Sequence, residues 1–231
     1  MNAEIILEGS YLYYQGEVNY SQENFKLVHM TDQQQYHIHA EILSRIDSGE
    51  FLKILVRYEM GLNYQPSFAR IEKSIGNRYA LEEFRFDGQG NDLKYKFQNS
   101  QGSQEYFKTL SNRHAISTPA FSTSMLFTLT KKFDPSGRTA VTLIGSSNEW
   151  VYERPPEEKI VFADLKLRDA TDFKINNSTL PASQMLLYQF DASSAATEQP
   201  VEVFVSKHFG IPYQLIHGDQ RIVVKNLKKN T

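Results

Sequence analysis

The feature that most constrains this chain is a rhythm of two. Apolar and aromatic residues alternate with polar ones through nearly every segment, and the segments are bounded by clusters of Gly, Asn, Asp, Ser or Gln. Alternation of this kind is the mark of half-buried β-strands, because successive side chains on a strand point to opposite faces. Only the stretch from Thr118 to Phe133 departs from it. At 231 residues the chain lies in the range of one all-β sandwich or barrel. The expected fold is therefore mainly β: a single β-rich domain over residues 1–231, built as one strongly curved antiparallel sheet or incomplete β-barrel.

Strands are expected at Ser10–Tyr20, Phe25–Met30, Tyr36–Leu43, Phe51–Tyr58, Phe68–Lys73, Arg78–Phe86 and Leu93–Phe97. Asp87-Gly88-Gln89-Gly90-Asn91 reads as a hairpin turn, its Asp-Gly step supplying positive φ. Strands resume at Thr139–Ile144, Glu149–Arg154, Lys159–Arg168, Met185–Asp191, Val201–Ser206, Tyr213–His217 and Arg221–Leu227. The small-residue stretch Ala192–Pro200 reads as a mobile loop inside the sheet.

Between the two sets, Phe121, Met125, Leu126, Leu129 and Phe133 recur at helical spacing. Thr118 is available as a cap, Pro119 suits the first helical position, and Asp134-Pro135 stops the run. This predicts one amphipathic helix at about 119–132, packed on the concave side of the sheet.

Composition excludes more than it assigns. Twenty-five basic against 27 acidic residues leave no basic stripe, so nucleic acid is not an expected partner. The absence of cysteine removes disulfides, thiolate nucleophiles and Cys-containing zinc sites. No apolar run reaches the roughly 18 residues of a membrane-spanning helix. Met1–Gly9 shows no secretory leader, so the chain is expected to be cytoplasmic, or periplasmic if Met1 replaces a removed leader. No nucleophile elbow, Walker loop, dinucleotide fingerprint or zinc-protease helix is present, and no cofactor is implied. The balance leans away from an enzyme.

Two groups of residues stand out. If the Phe25–Met30 and Tyr36–Leu43 strands form a hairpin across a loop Thr31–Gln35, His29, His37 and His39 share one face, as a three-histidine metal site requires. Solvent-facing histidines are the plainer reading. Glu83 and Arg85 read as an ion pair on the wet face, and His114, His208 and His217 as surface residues.

The second group is aromatic. Tyr11 and Tyr13 share one face of the first strand, and Leu12 and Tyr14 the other, so both faces carry apolar surface. Phe51, Leu55, Phe84, Phe86, Tyr95, Phe97, Trp150 and Phe162 furnish candidate walls. The expected ligand-binding residues are Tyr11, Tyr13, Phe84, Phe86, Phe121, Met125, Leu129 and Trp150, with the helix as a lid.

The order of landmarks resembles the DUF3108 family of β-rich bacterial envelope proteins. They are Ser117-Thr118-Pro119 to Leu129, Ser136-Gly137-Arg138 opening the second strand set, and Val203 to Pro212 leading into Arg221–Leu227. The resemblance implies an exported protein whose curved sheet, in the style of lipoprotein carriers, is closed by a helix over apolar ligands. The leading expectation is non-catalytic binding of an apolar or amphipathic, lipid-like ligand. The alternatives are a small β-barrel enzyme using acid–base or histidine–metal chemistry, and an envelope scaffold whose sheet edge adds a partner strand.

Overall fold

In a computed structural model of the chain, the described residues are 3–46, 48–87, 91–110, 114–166, 171–175, 178–190 and 200–230. The first eight strands are β1 (Ala3–Gln15), β2 (Val18–Met30), β3 (Gln35–Arg45), β4 (Phe51–Gly61), β5 (Pro66–Ile75), β6 (Arg78–Phe86), β7 (Asp92–Asn99) and β8 (Gly102–Thr109). The rest are β9 (Ala115–Ile116), β10 (Arg138–Gly145), β11 (Glu157–Leu165), β12 (Thr171–Ile175), β13 (Ser178–Phe190), β14 (Val201–Ser206), β15 (Pro212–His217) and β16 (Gln220–Lys229). All sixteen belong to one sheet.

Strands β1 to β8 form a sequential antiparallel meander. β1 then pairs with β16, from which β15, β14, β13, β11 and β10 continue the sheet to β9, while β12 pairs with β13 off this path. β9 alone runs parallel to its neighbour.

The sheet is barrel-like but not closed by a ladder of backbone bonds. Its far regions meet instead through side chains of the β10–β11 connection. Asn148 Nδ2 donates to the Tyr95 hydroxyl (3.0 Å), Lys73 Nζ to the Asn148 carbonyl (2.8 Å), and Asn99 Nδ2 to the Trp150 carbonyl (2.9 Å). The Arg78 guanidinium lies over the Trp150 ring at 4.5 Å.

The concave face carries the core, and its strands show the expected alternation. Ile38, Ala40 and Ile42 of β3, Val56, Tyr58 and Met60 of β4, and Leu93, Tyr95 and Phe97 of β7 are buried in phase. The opposite face carries cross-strand ion pairs such as Arg70 with Glu83 (3.2 Å) and Lys53 with Glu41 (2.7 Å). Exposed pairs of this kind add little stability.

Several expectations need correction. Ser10–Tyr20 is not one strand: the chain turns at Gly16, at φ 57°, to make the β1–β2 hairpin. Glu149–Arg154 belongs to the β10–β11 connection. The Asp87–Asn91 turn lies partly outside the described residues, but β6 and β7 flank it as an antiparallel pair and the Asp87 amide donates to the Asp92 carbonyl (3.0 Å). The stretch 192–199 lies outside the described residues.

The predicted helix is two short 3₁₀ turns, Phe121–Thr123 and Leu126–Leu129. The cause is local. Five of the ten residues 121–130 are Ser or Thr, and four of those hydroxyls bond the carbonyl three residues back. Thr123 reaches Ala120 (2.9 Å), Ser124 Phe121 (2.9 Å), Thr128 Met125 (2.7 Å) and Thr130 Phe127 (3.0 Å). Such back-bonds offer carbonyls an alternative to helical amides, and the backbone follows with bonds of the same three-residue span. Nor is the segment one-sided: Phe121, Ser122, Thr123, Met125, Leu126 and Phe127 are all buried. It is a plug inside the curved sheet. Phe121 and Leu126 join the core of the meander, whereas Met125 and Phe127 join a second cluster with Val141, Met185 and Val203.

Candidate functional site

The plug is seated by a carboxylate that comes from β2. Glu23 is in phase with Phe25 and Leu27 and so projects into the core, where it is fully buried. Its Oε2 accepts from the Phe121 amide (2.8 Å) and from the Tyr13 hydroxyl, and its Oε1 accepts from the Ser122 amide (3.0 Å). Without it the Ser122 amide would be unpaired at the start of the first 3₁₀ turn, and the Phe121 amide would keep only a longer bond to the Tyr13 hydroxyl (3.3 Å). Burial raises the Glu23 carboxyl pKa above the ordinary value, against the opposing effect of these hydrogen bonds. Burial and the neighbouring carboxylate push the Tyr13 hydroxyl upward as well, so it stays a donor.

Around this seat the residues expected to wall a pocket pack on one another. Tyr11 stacks on Phe25 (centroids 5.2 Å) and meets Phe121 edge-on (5.0 Å), and its hydroxyl donates to the Pro212 carbonyl (2.9 Å). Phe84 packs against Tyr95 at 4.9 Å, and Phe86 is buried in the same core. Met125 sits on the other side of the plug, Leu129 abuts Gly210 of the β14–β15 connection, and Trp150 lies under Arg78. Tyr11, Tyr13 and Phe121 come together and pack directly on one another at this seat.

The three histidines do not share a face. The β2–β3 loop is Thr31–Gln34, one residue shorter than expected, with Gln34 at φ 54°. The register therefore pairs His29 with Tyr36, Val28 with His37 and Lys26 with His39. His29 falls on the core face, its ring tilted against that of Tyr36 at 5.0 Å, while His37 and His39 lie on the other face 6.1 Å apart. Val28, opposite His37, accordingly lies on that other face as well. Among the described residues no group of three or more His, Cys, Asp or Glu side chains is placed to hold a metal. Burial lowers the His37 pKa; burial, His37 and Arg57 lower that of His39.

Other polar residues were misplaced or missed. Glu83 pairs with Arg70 (3.2 Å), and Arg85 lies over the Phe68 ring at 4.7 Å. His114 is buried, not surface, and its Nε2 is 2.7 Å from Glu158 Oε2. It borders a cavity of about 80 Å³ with Tyr58, Tyr64 and Lys131. Glu82 is buried between Lys73 (2.8 Å) and the Tyr95 hydroxyl (2.8 Å). The signal for Glu23 and Glu82 was present in the sequence: each carboxylate stands in phase with the apolar residues of its strand.

Several concavities among the described residues could take a ligand, and two of them have contrasting walls. One is an open trough of about 900 Å³ on the outer face, where Glu8, Glu41 and Glu72 face Lys26, Arg57 and Arg70. Its carboxylates are each ion-paired, and it is polar along both banks. The other is a cleft of about 340 Å³ between the β12–β13 hairpin and the β1–β16 pair. Leu7, Leu180, Ile211, Tyr213 and Leu227 line it, with His208 and Lys229 also on its wall. The β14–β15 connection that contributes His208 and Ile211 to it also abuts the plug, since Gly210, at φ 62°, places its backbone against Leu129.

No family profile matches the chain, so the resemblance to DUF3108 gains no support at that level. No curated protein matches it either. Among solved structures it is similar to a β-barrel-like protein of the DUF1849 domain of unknown function from Brucella abortus, with a TM-score of 0.61 and 8% identity over 98% of each chain. A DUF1089-family protein from Pseudomonas aeruginosa gives a TM-score of 0.52 and 11% identity, covering 85% of this chain and 89% of the other. At such identities the likeness is one of architecture: this chain has the β-barrel-like fold found in those two proteins of uncharacterised families.

Proposed function

We propose that this protein binds an apolar or amphipathic, lipid-like small molecule without transforming it, in the cleft between the β12–β13 hairpin and the β1–β16 pair. The observation that carries this reading is the cleft's make-up. It has about 340 Å³, at the lower end of the range for small-molecule sites, and mostly apolar walls with a few polar groups. The outer trough, larger but open and ion-paired, offers an apolar ligand no enclosure.

The test uses the neutral, environment-sensitive probe N-phenyl-1-naphthylamine. The parent protein is expected to bind it saturably at micromolar concentration. Leu180→Trp, on the half-buried hairpin wall, is expected to weaken binding at least tenfold with an unchanged circular dichroism spectrum. Leu227→Trp occludes the cleft from the facing strand and guards against a folding defect in the first variant. Absence of saturable binding, or full binding by both folded variants, overturns the reading.

A second reading, acid–base catalysis, is favoured by the buried His114, which borders a small cavity and pairs with Glu158 at the surface. Its substrate would have to be far smaller than a lipid. Loss of a detected hydrolytic or isomerase activity in His114→Gln, with the fold retained, would support it.

A further inference from the structure

The cleft carries charge of one sign, and from this we infer that its ligand is an acyl or alkyl chain ending in an anionic head, bound with the head at Lys229 and His208. The inference rests on the cleft reading above and adds to it the chemical class of the ligand.

Lys229 is held in place by register. It lies directly opposite Leu7 in the β1–β16 ladder, and directly opposite residues share a face, so its side chain stands beside Leu7 and, two residues back on its own strand, Leu227. The ladder is continued by the Asn230 amide, which donates to the Ile6 carbonyl (3.1 Å). The ammonium is thus carried on an ordered strand at the edge of an apolar wall. The neighbouring lysine shows the contrast: Lys228 falls on the other face and pairs with Glu8 (3.3 Å). Lys229 has no ion pair among the described residues.

The second polar group enters from the β14–β15 connection. The Ser206 amide donates to the Ile211 carbonyl (2.8 Å), and the His208 amide points at the Ser206 hydroxyl (3.4 Å), so the loop is folded on itself and presents the imidazole at the cleft. Among the described residues no carboxylate lines the cleft. A cation and an imidazole donor beside an apolar enclosure, without an acid to neutralise them, complement a carboxylate or a phosphate monoester. A neutral chain would leave the ammonium without a partner at the mouth, and a cationic amphiphile would be repelled.

The experiment displaces N-phenyl-1-naphthylamine from the parent protein with dodecanoate, dodecyl phosphate and dodecanol, each below its aggregation threshold. Acetate and inorganic phosphate serve as heads without chains. The anionic amphiphiles are expected to displace the probe at least tenfold more tightly than dodecanol, and the chainless anions not at all. Raising the salt to 0.5 M should weaken only the anionic ligands, since exposed charges are screened. Lys229→Gln should remove most of the preference and Lys229→Arg should keep it. Equal displacement by dodecanol and the two anions, insensitive to salt, overturns the head-group assignment and leaves the cleft reading standing. Displacement by none of them, when the probe itself binds, places the probe elsewhere and overturns both. Inorganic phosphate as effective as dodecyl phosphate would mean that the site reads a free anion, and the chain-ended class is then wrong.

Discussion

Glu23 is a carboxylate whose work is structural, and its energetics make it testable in two ways. Removing it in Glu23→Ala strands the Tyr13 hydroxyl and the Ser122 amide as donors in the core and leaves the Phe121 amide only its longer bond to the Tyr13 hydroxyl (3.3 Å). With about 1–3 kcal/mol for each buried group left unsatisfied, and partial rescue by water, a loss of about 3 kcal/mol is expected in urea denaturation. The pH dependence has the opposite sign to an acid-triggered release. Because burial raises the folded pKa, the folded state binds the proton more tightly than the unfolded one. The contribution of this group is full below the ordinary carboxylate value and is lost as pH rises through the raised one. Glu23→Gln, which mimics the protonated form, should therefore flatten this part of the stability profile. Subtracting its melting temperatures from the parent's across pH 4 to 8 isolates the effect from His37 and His39, whose lowered values act in reverse. Glu23 was legible as a polar residue in phase with a core strand, but its partners were not: they lie 98 and 99 residues away in sequence. His29 shows how little is needed to lose a site, since one loop residue turned it to the other face.

At the scale of elements, the plug is the part that apolar spacing read wrongly and side-chain chemistry explains. Spacing reports which residues are apolar, whereas the Ser and Thr hydroxyls decide which backbone bonds form. Met125 is buried among Val141, Met185 and Val203. Met125→Ala is expected to cost about 2–5 kcal/mol in equilibrium unfolding, as for other core truncations. Gly210→Ala adds a Cβ at φ 62° and 3.0 Å from Leu129 Cγ, and should cost about 1–3 kcal/mol through the strained backbone. If instead both variants are neutral, the plug is not packed as described. Strand β8 escaped the sequence reading for a different reason. It is a sheet edge, exposed along most of its length, and Gly-Ser-Gln-Glu-Tyr-Phe-Lys-Thr has no apolar face to alternate. The central strands, with one buried and one wet face, were the legible ones.

The molecule as a whole is a long sheet brought round on itself, and its closure depends on few residues. Asn148 donates to Tyr95 and Arg154 and accepts the Glu153 and Arg154 amides at 2.8 and 3.2 Å. Asn148→Ala should cost about 3 kcal/mol and speed amide exchange across residues 146–156 while sparing β2 and β3; uniform loss of protection would refute a local role. No helix among the described residues is long and apolar enough to cross a membrane. The curved antiparallel sheet was legible in the sequence because every strand repeats the same local pattern; its partial closure was not, because closure is made by single polar residues in connections. The pairing of β1 with β16 has a further consequence, for the order in which the chain acquires structure. Glu8 and Lys228 face each other 220 residues apart, whereas β1 to β8 pair only with sequential neighbours or, at β1, with that last strand. During synthesis the meander can therefore assemble hairpin by hairpin, yet the inner edge of β1 stays open until the final strand leaves the ribosome. Loops of that length close slowly, so a waiting edge in the middle of the eventual sheet is the place where a nascent copy is most exposed to pairing with the wrong chain.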